Sequence, residues 1–234
     1  MEDAYSVFRC DPPQRWSGDN TGYDRENWQR LSAVQLRELT RFDTDHFLSE
    51  TGAVERSELR YILPRMFDLI AQGEAPHVAG EECSLSYLAE TGYPEKWTEP
   101  ERSAVERFFA ALLDHCLSER YFEDSPFLDV VLCMAGNANA DLGALLDRAD
   151  RAGDKWLARA VAHDIDWIGG PDAAGGMRNA FWESAADAHA SAAEAWYRRP
   201  ELLARMERAF FAETDPDWQQ RLSDAIEAMR GWSR

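Results

Sequence analysis

Residues 60–70 read RYILPRMFDLI. Leu59, Ile62, Leu63, Met66, Phe67 and Ile70 recur at spacings of three and four, the period of one helix face. Pro64 stands in the middle of that face. An interior proline removes a hydrogen bond and crowds the preceding turn, at a cost of about 3 kcal/mol. Yet the apolar phase runs through Pro64 without a reset. Two readings follow. Either one helix bends at Pro64, its freed Arg60 carbonyl met by water or a side chain, or a short turn over 57–63 precedes a main helix that starts at Pro64. Both make the segment helical, and the rest of the chain repeats its pattern.

Upstream, Ser32 opens S-A-V-Q, a capping box ahead of Leu36, Leu39 and Phe42. Ser57 reads as the start of the helix that carries Pro64. Thr98 opens T-E-P-E, with Pro100 tolerated in the first turn, and leads into Val105, Phe108, Phe109, Leu112, Leu113, Cys116 and Leu117. Ser125-Pro126 opens FLDVVLCMAG, which is apolar nearly all round. Periodicity alone fits a buried helix or a strand there, and the cap and the neighbouring helices favour helix. Asn139 precedes Leu142, Leu145, Leu146 and Ala149. Asp154 precedes Leu157, Ala160, Val161, Ile165 and Ile168. GGPDAAGG at 169–176 interrupts the series. Beyond it, 178–198 reads as one long Ala-rich helix with Phe181, Trp182, Ala185, Ala193 and Trp196. Pro200 starts another, with Leu203, Met206 and Phe210. Asp215-Pro216 caps the last, with Trp218, Leu222, Ala225, Ile226 and Met229. Tyr5 to Phe8 reads as a short extended piece. The expectation is an all-α chain of about nine or ten helices, either a compact bundle or a short HEAT-like α-solenoid. It is read as a single domain over 1–234 with a candidate internal hinge at 169–176. No fixed-period repeat is visible.

Residues 31–72 and 83–117 resemble a bacterial family of helical proteins without an assigned function. Its pattern is a capped helix, a T-x-G turn and F/Y-x-L-P-R, two hydrophobic residues and E/D-L. Here it reads LSAVQLRELTRF, then SETGAVERSELRYILPRMFDLIA, with Tyr61 to Leu69 as the signature. KWTEPERSAVERFFAALL matches the family's W-x-x-x-E segment and its apolar helix. ELLARMERAFFAETDPDWQQRLSDAI is similar to its last helices. Phe67-Asp68 stands where the family more usually has Leu-Glu. The resemblance implies one continuous helical unit and carries no chemistry.

A net charge of −18 argues against nucleic-acid backbones and anionic membranes as partners and suits a basic protein. No apolar run approaches the about 18 residues of a membrane span. The opening MEDAYSVFRCDPP carries Glu2 and Asp3 and no apolar stretch, so a cytoplasmic protein is expected. Cys10, Cys83, Cys116 and Cys133 are spread without a C-x-x-C, which suits reduced thiols and no zinc site. Phosphate loops, nucleophile elbows, zincin helices and Glu-x-x-His metal helices are all missing from the sequence, and no cofactor is expected.

The acids are uneven. Asp68, Glu74, Glu81, Glu82, Glu90, Glu95, Glu99 and Glu101 face one base, Lys96, in the same stretch. This belt is the candidate protein-binding surface, with a solvated face as the plain alternative. The leading reading is a non-enzymatic protein that binds a basic partner, concretely an immunity or antitoxin-like inhibitor of a basic bacterial effector. The rivals are a scaffold module and a helical enzyme or small-molecule binder. For the enzyme, the stripe puts Asp164 on the apolar face of its helix and His189 on the apolar face of the next. If those helices pack antiparallel, the two could meet, as a structural hydrogen bond or as a reactive pair. Asp43, Asp45 and His46 form a weak metal-like cluster in FDTDHF, and Asp114-His115 reads as a solvated face. Trp16, Tyr23 and Trp28 read as a lid or a recognition surface.

Overall fold

The computed structural model describes residues 2–8, 36–44, 54–74, 76, 80–118, 127–167, 170–172 and 176–232. Ser32, Ser125-Pro126, Ile168, Cys10, Trp16, Tyr23, Trp28, Asp45 and His46 lie outside them. Among the described residues the regular elements are helical, apart from one antiparallel bridge between Pro171 and Met177. The protein is all-α. It divides into two compact units, residues 1–108 and 109–234. The division falls between Phe108 and Phe109, and 169–176 lies inside the second unit.

The first unit contains α1 (Glu2–Val7), α2 (Arg56–Ala71), α3 (Tyr87–Glu90) and the start of α4 (Glu99–Cys116). Tyr5 to Val7 is thus helical rather than extended. The question raised by Pro64 is settled in favour of one helix, since α2 runs unbroken through it. Pro64 is buried, and so are Leu59, Tyr61, Ile62, Leu63, Met66, Phe67, Leu69 and Ile70. Burial of this face outweighs the lost hydrogen bond, because each large apolar side chain contributes about 1.5–3 kcal/mol. The helix begins one residue before Ser57. Its N-cap is Glu55, whose N–H donates to the Glu58 carboxylate at 2.8 Å. Phe67 stacks on Phe108 at 4.1 Å, and Phe8 meets both Phe67 and Trp97 edge-on.

The second unit contains α5 (Leu128–Asn137), α6 (Leu142–Asp150), α7 (Asp154–Trp167), α8 (Asp187–Arg198), α9 (Pro200–Ala212) and α10 (Pro216–Trp232). α5 is buried along its whole length, in keeping with its all-round apolar sequence. It packs on α6, α7 and α8. α10 packs on both α9 and α7, and α9 also packs on α7. Helices three apart in sequence pack together here, α5 on α8 and α7 on α10, and the compact packing of this unit is that of a bundle.

Three local expectations are corrected. Asp141, not Asn139, caps α6, accepting from the Ala144 N–H at 2.9 Å. Asn139 instead takes a left-handed turn, φ 57°. The buried stripe of α9 is Leu202, Met206 and Ala209; Leu203 and Phe210 are half-buried and Phe211 is 83% exposed. Third, 178–198 is not one helix. A 3₁₀ turn spans Ala180–Ser184, and α8 starts only at Asp187.

The start of α4 supplies a test. The Glu101 carboxylate accepts from the Thr98 N–H at 2.9 Å and its hydroxyl at 2.8 Å, and pairs with Arg60 at 2.5 Å. Replacing Glu101 with Ala removes all three at a site only 3% exposed. The expected loss is about 1–3 kcal/mol in urea unfolding, with the unfolding slope unchanged. A loss under about 0.5 kcal/mol contradicts the cap.

Candidate functional site

The acidic segment sorts into four kinds of carboxylate. Glu101 and Glu82 are buried, at 3% and 6% exposure, and are removed from any docking surface. For Glu101 the reason is the capping role described above. Asp68 and Glu99 are engaged, Asp68 accepting from the Tyr5 hydroxyl and Glu99 pairing with Arg102. Burial and the Asp68 carboxylate together push the Tyr5 phenol well above its ordinary pKa. Glu81 is half-buried, and desolvation with the neighbouring Glu82 charge raises its pKa. Glu74, Glu90 and Glu95 are exposed and make no ion pair among the described residues. The belt that the sequence displays as eight residues therefore narrows to a few free charges.

The second unit holds a buried polar cluster. Asp129 lies in the first turn of α5 and is fully buried. Its Oδ1 accepts from the Trp182 indole at 3.1 Å and its Oδ2 from the Asn179 amide at 3.0 Å. The Asp129 backbone N–H donates to Asp164 Oδ2 on α7 at 3.1 Å, and the Tyr197 hydroxyl on α8 donates to the same oxygen at 2.8 Å. Asp164 is 0% exposed, and its Oδ1 has no hydrogen-bond partner among the described residues. Desolvation, then the charge of Asp129, push the Asp164 carboxyl well above its ordinary pKa against the pull of its donors. Burial thus favours the neutral form of Asp164 over a wider pH range than in an exposed aspartate.

Asp164 and His189 are not joined. The His189 ring Nδ1 meets the Gly136 carbonyl at 3.1 Å instead. The sequence correctly places Asp164 on a buried face in need of a partner, but the partners come from α5 and α8. Asp129 is not among the residues singled out from the sequence. A lone acid in a helix that is apolar all round was the available signal, by the same reasoning that singled out Asp164. Full burial keeps solvent and solute away from the cluster, whose hydrogen bonds tie α5, α7, α8 and the 179–182 turn together.

The remaining candidates resolve simply. Asp43 Oδ2 accepts from the Thr40 N–H and hydroxyl, both at 2.8 Å, as a local turn does. Asp114 forms a two-pronged pair with Arg148, at 2.6 and 2.5 Å. Along α9 and α10, Phe210, Phe211, Ile226, Glu227 and Arg230 line an open groove of about 730 Å³.

The buried carboxyl predicts a pH dependence. Its folded pKa is raised, so its contribution is fully present below the unfolded value of about 3.9 and is lost as pH rises towards the folded value. Asp164→Asn has no carboxyl to titrate and removes that pH dependence. The stability of the variant minus that of the wild type is expected to grow with pH above about 4, by up to about 1.4 kcal/mol per unit. Urea midpoints measured across this range test it, and parallel curves contradict it.

No family model matches the chain, and neither do the curated proteins nor the solved structures compared with it.

Proposed function

We propose that the chain is a non-enzymatic, protein-binding helical protein whose acidic first unit engages a basic partner. In its concrete form it is an immunity or antitoxin-like inhibitor of a basic effector in the cytoplasm. The supporting observation is the state of Glu74, Glu90 and Glu95, which stay exposed and unpaired while other acids of the same stretch are capped, buried or neutralised. Charges left free on a chain of −18 attract a cationic surface, raise the encounter rate and reject acidic competitors. The sign also favours a protein over a nucleic acid. The rival reading needs Asp164 and His189 together in an open pocket, whereas Asp164 is fully buried and the two have separate partners.

Capture from the lysate of the source organism tests the proposal. The bait is compared with a triple variant, Glu74→Lys, Glu90→Lys and Glu95→Lys, and with a control, Glu201→Lys, in the second unit. The expected result is a basic protein retained at low salt by the wild type and the control, and lost at about 0.5 M salt. The triple variant is expected to bind at least about ten-fold more weakly. Equal retention by the triple variant, or no partner at either salt, refutes it.

A further inference from the structure

α7 and α9 border a cavity of about 210 Å³ lined by Asp154, Lys155, Arg208, Ala209, Ala212 and Glu213. Two acids line it, yet neither is free. Asp154 Oδ1 accepts from Arg205 Nε at 2.7 Å and Oδ2 from Arg208 Nε at 2.9 Å. Glu213 Oε2 is held by Arg159 through Nε at 2.8 Å and Nη2 at 2.7 Å, and Oε1 accepts from the N–H groups of Thr214 and Asp215. Burial works to raise both carboxyls, but these donors outweigh it and hold both pKa values below the usual range. Both are ionised and saturated.

The bases are in excess. Lys155 is exposed and makes no ion pair among the described residues; its ammonium rests over the Trp156 ring at 4.8 Å. Arg208 spends its Nε on Asp154, and its Nη groups make no hydrogen bond among the described residues. Behind them, the Arg159 guanidinium lies 5.5 Å from the Trp156 ring centre and 4.8 Å from that of Trp218, and Arg221 lies 5.2 Å from Trp218. Lys155, Arg159, Arg205 and Arg208 thus stand against Asp154 and Glu213, a local positive balance in a chain of −18. The cavity has room for one compact group and a few waters, at about 30 Å³ per water. A guanidinium edge and an ammonium lining one small cavity suit an oxyanion, which accepts several charge-assisted hydrogen bonds at once.

We propose that this cavity is a binding subsite for a compact oxyanion, a phosphate or carboxylate group, held by Lys155 and the Nη groups of Arg208. The subsite lies in the second unit and is independent of the acidic surface of the first, so each can fail alone.

Calorimetric titration of the whole chain at constant ionic strength tests it, with inorganic phosphate in one arm, acetate in the second and chloride in the third. The expected result is saturable binding of phosphate, acetate or both, with Kd of about 1 mM, and none of chloride. Phosphate alone identifies a phosphate site, and acetate as well identifies a carboxylate site. Lys155→Gln, at an exposed and unpaired position, is expected to weaken binding at least about ten-fold, and Arg208→Gln to act likewise. Arg151→Gln, exposed and outside the cavity, leaves it unchanged. No saturable binding, equal binding of chloride, or full affinity in Lys155→Gln overturns the proposal.

Discussion

The second unit is organised by the carboxylate of Asp129. Placed in a helix buried along its whole length, it must have every lone pair met, because an unpaired buried carboxylate costs several kcal/mol. Trp182 and Asn179 meet it. Both follow the Gly-rich interruption, so the demand of one side chain on α5 fixes how the chain resumes beyond residue 176. Asn179 donates to Asp129 and at the same time accepts from the Phe181 N–H at 3.1 Å. That capping bond bends 180–184 into a 3₁₀ turn, where propensity alone favours α-helix. Gly136 shows the same close fit: a Cβ there would lie 3.0 Å from the Trp182 ring.

A second set of charges fixes the α6–α7 connection. Asp150 accepts from Arg199 at 2.6 Å and from the Trp196 indole at 3.1 Å. Arg205 reaches Asp154 at 2.7 Å and also the carbonyls of Asp150 and Ala152. The end of α6, the start of α7 and the side chains of α8 and α9 are thereby held in one register. These pairs are half-exposed, so their value lies more in geometry than in energy. Arg159 and Glu213 differ: both are buried, and breaking such a pair by removing one partner is strongly destabilising.

Much of this order was legible. The apolar stripes of α2, α4, α7 and α10 are where periodicity puts them, and burial on one face is reason enough. The T-E-P-E cap was readable because its partners are three residues apart. What was not readable is what depends on distant partners. No spacing rule connects Asp129 to Trp182, 53 residues on, or Arg148 to Asp114, 34 residues back. The break at 185–186 escaped for the same reason, since the sequence there is helix-favouring and the tertiary hydrogen bonds are not local. The candidate surface was legible as charge but not as exposure.

Glu101 shows why that distinction decides function. By composition it belongs to the acidic belt, and by spacing it is the last residue of a capping box. One carboxylate cannot do both, because the cap and Arg60 take its oxygens and burial takes its access to solvent. The same test runs through the whole molecule. Asp154 and Glu213 are acids by sequence, yet their charges are spent on arginines, and what they leave in surplus is positive. A residue's formal charge says little about recognition until its partners are subtracted. After that subtraction, the groups left free include Glu74, Glu90 and Glu95 in the first unit and Lys155 with the outer edge of Arg208 in the second. They differ in sign and in setting: open carboxylates suit a broad cationic surface met through long-range attraction, whereas cations at a small cavity suit one compact anion held by direct hydrogen bonds.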